Sequence, residues 1–246
     1  MIKGPDGNDY IYKEYEKPRG FWREAMVLRE INHPFIIKPI CMNIDKLGIV
    51  LPFIEQGDLT KMPRNITKME LKRFMAQMII AVHEIHKRGY VHADLKNGNI
   101  ARTLKPYDHI VLLDFGLAMP FGNITLEVGT DSMMAPEMIY PDNFQNQVHE
   151  GLDWWSLGAT FWQINCKMHK LKTTFPKDKI IPVNDTVIVS KWDFPDQFED
   201  SLKDLIMKLM TLDSDLRRFT NSNIDKLMGH PFFHDFDWST IYKNIK

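Results

Sequence analysis

Residues 90–100 read YVHADLKNGNI, which places His92, Asp94, Lys96, Asn97 and Asn99 between the apolar Val91 and Ile100. That density of short polar groups is odd for a surface turn and costly for a core, so the loop reads as one built to hold charge in place. Further on, a short apolar run from Ile110 to Leu113 delivers Asp114 to a turn at Gly116. Two carboxylates, Asp94 and Asp114, with the amide of Asn99, are hard oxygen ligands of the kind magnesium takes alongside phosphate oxygens. Lys96 adds a point charge beside them. The set suits phosphoryl transfer, in which a protein mostly positions reactants and neutralises developing charge.

The elements that must position these residues divide the chain into two regions. Residues 9–13 (DYIYK) and 47–54 (LGIVLPFI) are apolar, β-branched and aromatic, and read as strands with Gly7 and Gly57 marking turns. Between them GFWREAMVLREINHP carries Phe21, Ala25, Met26, Val27 and Ile31 near helical spacing, until Pro34 stops it. From about residue 58 the chain becomes mainly helical. In TKMELKRFMAQMIIAVHEIHKRG, Thr67 and Glu70 form a capping-box signature. Leu71, Phe74, Met75, Met78, Ile79, Val82 and Ile85 follow as one apolar stripe, and Gly89 ends it. DWWSLGATFWQINC is apolar nearly all round and reads as a buried helix. DSLKDLIMKLM reads as an amphipathic helix with Leu202, Leu205, Ile206 and Leu209 on one face.

Bulk properties narrow the function classes. At 246 residues the chain has ample sequence for a core, and a net charge of −1 argues against nucleic acid as a partner. No apolar run approaches a membrane span, and MIKGPDGNDY is too polar for a signal peptide. Two cysteines, Cys41 and Cys166, give neither a disulfide framework nor metal-ligand spacing, which fits a reducing compartment and a cytoplasmic location.

With HADLKNGN joined by DFG at 114–116, GT at 129–130, APE at 135–137 and DWWSLG at 153–158, the sequence resembles eukaryotic-type protein kinases of the serine/threonine class. NHPFIIKPI, DWWSLG and GHPFFHDFDWSTIY resemble the group that includes cyclic-AMP-dependent protein kinase, and DWWSLG resembles the buried helix that anchors the catalytic loop. The resemblance implies an α+β, two-lobed fold. Residues 1–55 would form a truncated antiparallel-sheet lobe with the third strand, helix C and hinge strand, and 56–246 a mainly helical lobe. It implies ATP and Mg2+ as cofactors and a protein substrate bearing Ser or Thr. In that likeness Asp94 accepts or orients the proton of the attacking hydroxyl, Lys96 stabilises the transferring phosphoryl group, and Asn99 and Asp114 hold magnesium. Thr130 matches the threonine that tethers Asp94 and Lys96. Glu137 makes a buried ion pair with Arg217, with the adjacent Arg218 leaving the register open.

In the first region Lys13 is the candidate for the α/β-phosphate lysine, with Lys17 as competitor, and Glu24 is its helix partner. VLPFIEQGDL looks like the hinge: Leu51 as gatekeeper, the Pro52 carbonyl and Ile54 N–H facing adenine, and Asp58 in reach of the ribose. Proline suits position 52 because a carbonyl, not an N–H, is wanted there. Two departures stand out. No G-x-G-x-x-G precedes Lys13, so the chain is expected to begin after the first two strands, with GPDG as a turn. Ala93 replaces the arginine that binds an activation-segment phosphate in many kinases, while Leu126 and Glu127 occupy the region expected for that phosphate, with Thr125 as a remaining candidate. The joint absence implies activity without activation-loop phosphorylation. Gly98 and Gln163 stand where kinases favouring basic substrates often carry acids. The sequence therefore carries two readings, an active serine/threonine kinase and a pseudokinase scaffold with little turnover.

Overall fold

A computed structural model of the chain describes residues 1–63, 66–104, 108–122, 133–140, 148–171, 193–219 and 223–242, with the strand backbones at 180–183 and 186–189. The first region builds an antiparallel four-stranded sheet from β1 (Ile2–Lys3), β2 (Asp9–Glu14), β3 (Cys41–Asn43) and β4 (Gly48–Pro52), in the order β1-β2-β4-β3. Strand β1 was not legible in the sequence, because two residues carry no alternation pattern. Its pairing with β2 creates it, through the GPDG turn, where Gly7 takes φ +81° and donates its N–H to the Gly4 carbonyl at 3.0 Å.

Helix α1 (Pro18–Glu30) packs on this sheet. Proline opens it without loss, since the first-turn N–H has no helical partner. Its buried face is Phe21, Glu24, Ala25, Val27 and Leu28. Met26, grouped by spacing with the apolar residues, is instead 51% exposed. It lies five residues from Phe21, about 140° round the helix, so it cannot share that face. The chain leaving α1 crosses to the second region: Ile37 donates its N–H to the Leu112 carbonyl at 2.9 Å, and Leu112 donates to Phe35 at 2.8 Å.

The second region centres on α2 (Lys68–His86), whose Thr67/Glu70 capping box is formed and whose seven-residue apolar stripe is buried. Each such side chain contributes at most about 1.5–3 kcal/mol. Beyond α2 come β5 (Tyr90–Val91), β6 (Ile100–Arg102), β7 (Ile110–Leu112), β8 (Met119–Pro120) and the short α3 (Pro136–Ile139). Helix α4 (Gly151–Met168) is buried along most of its length, as its all-round apolar sequence requires. The strands β9 (Ile180–Val183) and β10 (Thr186–Val189) pair with each other. Helix α5 (Asp200–Leu209) buries Leu202, Leu205, Ile206 and Leu209, and α6 (Ile224–Met228) follows. Near the end, Tyr242 stacks on Phe35 with ring centroids 5.4 Å apart, and its hydroxyl lies 3.2 Å from His33 Nε2. The segment after α1 is thus held from both sides. Among the described residues no helix is long and apolar enough to cross a membrane.

Candidate active site

Strands β6 and β7 pair antiparallel with Ile100 opposite Leu112, and Leu113 donates its N–H to the Asn99 carbonyl at 2.8 Å. That register brings the loop ending at Asn99 beside the one beginning at Asp114. Strands β5 and β8 pair at the far ends of the same two loops. Both loops are therefore clamped at each end, and the residues between them have little freedom to wander.

A buried carboxylate on α4 shapes the first loop. Asp153 accepts the N–H of His92 at 2.7 Å and of Ala93 at 2.9 Å, and His86 Nε2 lies 2.9 Å from its Oδ2. His92 Nε2 in turn meets the Leu113 carbonyl at 2.9 Å, and its ring lies 4.8 Å from that of Phe115. Ala93 is held at φ +63° and Asp114 at φ +59°, a left-handed region that costs a non-glycine residue about 1–2 kcal/mol. Asp153's two backbone acceptances stabilise the first of these turns. Burial opposes the Asp153 charge, but the hydrogen bond and charge of His86 outweigh it and hold the carboxyl below its usual 3.8. A depressed folded-state pKa gives stability that is present above about pH 4 and lost as pH falls through the lower folded value. Asp153→Asn is therefore expected to unfold more readily at pH 7 and to show a shallower acid loss than wild type. Urea melts from pH 7 to pH 3 check this, and parallel slopes would overturn it.

Asp94, nearly buried, accepts Lys96 Nζ at 2.8 Å and Asn99 Nδ2 at 2.9 Å on Oδ2, and Asn99 Nδ2 also reaches the Asp94 carbonyl at 2.8 Å. The base candidate, the lysine and the amide expected from the sequence are thus one hydrogen-bonded unit. Lys13 Nζ lies 2.6 Å from Glu24 Oε2 and 2.7 Å from Asp114 Oδ1, which joins sheet, helix α1 and the Asp114 turn. Burial would lower the Lys13 pKa, but the Glu24 and Asp114 charges prevail and raise it. Asp114 shows the reciprocal effect: burial pushes it up, and Lys13 brings it below the ordinary carboxylate value. Lys17, the competitor, is exposed at the N-cap of α1 and makes no side-chain cap bond there. Lys13 is the one of the two that meets Glu24 and Asp114 among the described residues.

A cavity of about 340 Å³ opens beside these groups, lined by Ile11, Lys13, Leu51, Pro52, Ile54, Asp58, Asn99 and Asp114 among others. Every hinge residue expected from the sequence borders it. Asp58 Oδ1 is committed to capping a short turn by accepting Thr60 N at 2.8 Å. Arg217, not Arg218, pairs with Glu137; both are buried, and Arg218 faces Glu150 and Asp215 instead. Thr130, Thr125, Leu126, Glu127 and the GT pair lie outside the described residues.

The family profile described as protein kinase domain matches residues 10–233. The chain belongs to the protein kinase family. It is 30% identical over 230 residues to the Mus musculus cAMP-dependent protein kinase catalytic subunit PRKX, covering 89% of this chain and 61% of that one. The RAC family serine/threonine-protein kinase homolog of Dictyostelium discoideum is 26% identical, over 90% of this chain and 50% of its own. The Saccharomyces cerevisiae serine/threonine-protein kinase YPK2/YKR2 is 31% identical, over 89% and 32%. The chain spans about a third to three fifths of these relatives' lengths. The kinase fold is the α+β, two-lobed one that the motifs implied, and such a domain takes ATP as a substrate.

Two residues of this kinase domain that matter to the site were not singled out from the sequence. For Asp153 the resemblance gives only the helix, DWWSLG, as the anchor of the catalytic loop; the tertiary fold shows that its carboxylate is the group that holds residues 92–93. For Tyr15 a signal does exist: the two-residue alternation of β2, continued one residue past its end, sets it on the face of Ile11 and Lys13. Its hydroxyl donates to Glu24 Oε2.

Proposed function

We propose that the chain is an active protein serine/threonine kinase that transfers the γ-phosphoryl group of ATP to a Ser or Thr hydroxyl of a protein. One observation carries the reading: Lys13 bridges Glu24 and Asp114 at the edge of a cavity that also reaches the Pro52–Ile54 segment and Asn99. A nucleotide seated there would set adenine against the Pro52 carbonyl and Ile54 N–H, the ribose by Asp58, and its phosphates by Lys13. The hydroxyl oxygen attacks the γ-phosphorus, its proton passes to or is oriented by Asp94, and the bond to the β-phosphate oxygen breaks to release ADP. Lys96 stabilises charge on the transferring group.

The donor set fits magnesium. Asn99 spends its Nδ2 on Asp94, which leaves its amide oxygen for a cation, and the Asp114 side chain is about half exposed at the cavity. Magnesium, when bound, would neutralise negative charge on the phosphates. Asn99 and Asp114 would hold it.

Ala93 supports activity without activation-loop phosphorylation. It is buried, and its N–H is spent on Asp153, so the position offers no cation to a phosphate. Free cysteines, Cys41 exposed and Cys166 buried, fit the proposed cytoplasmic location. The scaffold reading keeps the fold without turnover, and one assay separates the two. Transfer of labelled γ-phosphate from Mg-ATP to a generic protein substrate is expected from wild type, before and after phosphatase treatment. Asp114→Asn is expected to abolish it. Equal signal from wild type and variant would sink the enzyme reading, and loss of signal on phosphatase treatment would sink phosphorylation independence.

A further inference from the structure

Tyr15 belongs to the three-residue link, 15–17, between the end of β2 and the start of α1. Its backbone N–H donates to the Leu47 carbonyl at 3.0 Å, which fixes its position at the end of the sheet. Its ring meets Phe21 edge-on with centroids 5.9 Å apart, and Lys13 Nζ lies 5.1 Å from its centre. Gly20 permits this approach: a Cβ there would sit 3.2 Å from Tyr15 Cδ1. The hydroxyl donates to Glu24 Oε2, the same oxygen that receives Lys13. The other carboxylate oxygen, Oε1, is buried without a hydrogen-bond partner among the described residues. Glu24 is thus held through one oxygen by two donors, one charged and one neutral.

We infer that Tyr15 is a positioning residue that pins Glu24, and through it helix α1 and the Lys13 ammonium, in the arrangement that receives nucleotide phosphates. Its effect on nucleotide binding rests on the kinase reading; the pin itself does not. Burial and the negative charge of Glu24 raise the Tyr15 pKa, so the hydroxyl stays a donor across the physiological range. The pin acts where it has most leverage. The link is too short to place α1 by its own packing, and Glu24 lies in the second turn of that helix. A lysine bonded to a mobile carboxylate would pair with Asp114 as readily as with a phosphate. A carboxylate fixed by a second donor keeps Lys13 at one end of its range. If Tyr15 were only a packed aromatic, loss of the oxygen with the ring kept would change nothing.

Tyr15→Phe makes that deletion, and Tyr12→Phe, three residues earlier within β2, serves as control. Hydrogen exchange of the α1 amides is measured in the full chain without nucleotide, with the α2 and α4 amides as reference for global stability. Mg-ADP affinity is measured by calorimetry, and KM for ATP and kcat by steady-state assay. Loss of one hydrogen bond to a charged group corresponds to roughly tenfold in such readouts. Tyr15→Phe is expected to speed α1 exchange about that much, with α2 and α4 unchanged, and to raise the Mg-ADP Kd and the KM for ATP in proportion while kcat at saturation changes less. Tyr12→Phe is expected to match wild type in all of them. Unchanged α1 exchange in Tyr15→Phe overturns the pin, and faster α1 exchange with unchanged Kd overturns its role in nucleotide positioning. Faster α1 exchange in a protein whose wild type fails to bind Mg-ADP upholds the pin and overturns the kinase reading instead.

Discussion

Asp94→Asn is expected to lower kcat for phosphoryl transfer by about 10²–10⁴-fold, the range over which general-base groups act, and to leave Mg-ADP affinity within about twofold. The separation follows from where the side chain lies. Asp94 is not among the residues lining the nucleotide-sized cavity, whereas Asn99 and Asp114 are. Asparagine matches aspartate in shape and keeps one oxygen that can accept Lys96 Nζ and Asn99 Nδ2, the two donors now on Oδ2. The loop therefore keeps its form and loses the charge that draws the hydroxyl proton. Steady-state kinetics and calorimetry on the same preparation read the two quantities. A variant that keeps kcat within about tenfold of wild type would remove Asp94 from the base role, because so small a change lies below the range for such groups.

The second large effect is on stability. Arg217→Met is expected to destabilise the fold by about 3–5 kcal/mol, because it strands the buried Glu137 carboxylate. Arg217 is fully buried, its guanidinium lies 5.2 Å from the Trp155 ring centre, and it donates to the Thr211 carbonyl at 2.5 Å as well as to Glu137. It thus ties α3 to α4 and to the turn after α5. In a chain of this size each kcal/mol shifts the melting temperature by about 2–4 °C, so the variant melts roughly 6–20 °C lower. Glu137→Leu combined with Arg217→Met is expected to recover much of the loss, since two apolar groups leave no stranded charge. Urea and thermal melts of the single and double variants test this. A double variant as unstable as Arg217→Met alone would show that packing around Trp155, not the stranded charge, dominates.

Legibility in the sequence follows the range of the interactions involved. The stripe of α2, its Thr67/Glu70 cap, the all-round apolar α4 and the face of α5 are local patterns. Each needs only helical geometry and the preference of apolar groups for burial. Strand β1 and the outward turn of Met26 are not legible for the converse reason: a two-residue strand exists only through its partner, and the buried face of α1 is set by the sheet beneath it.

The candidate site divides in the same way. Asp94, Lys96, Asn99 and Asp114 stand out in YVHADLKNGNI and the DFG turn, because chemistry demands their types and close spacing. The sequence by itself therefore determined which groups are present and what class of reaction they suit. Which lysine faces Glu24, which arginine meets Glu137, that Asp153 is the group by which its helix anchors the loop, and that Tyr15 serves the site at all come only from the tertiary structure. Those pairings join residues far apart in sequence, or across an interface between sheet and helix. Their distances depend on strand register and helix rotation, which no local run of residues encodes.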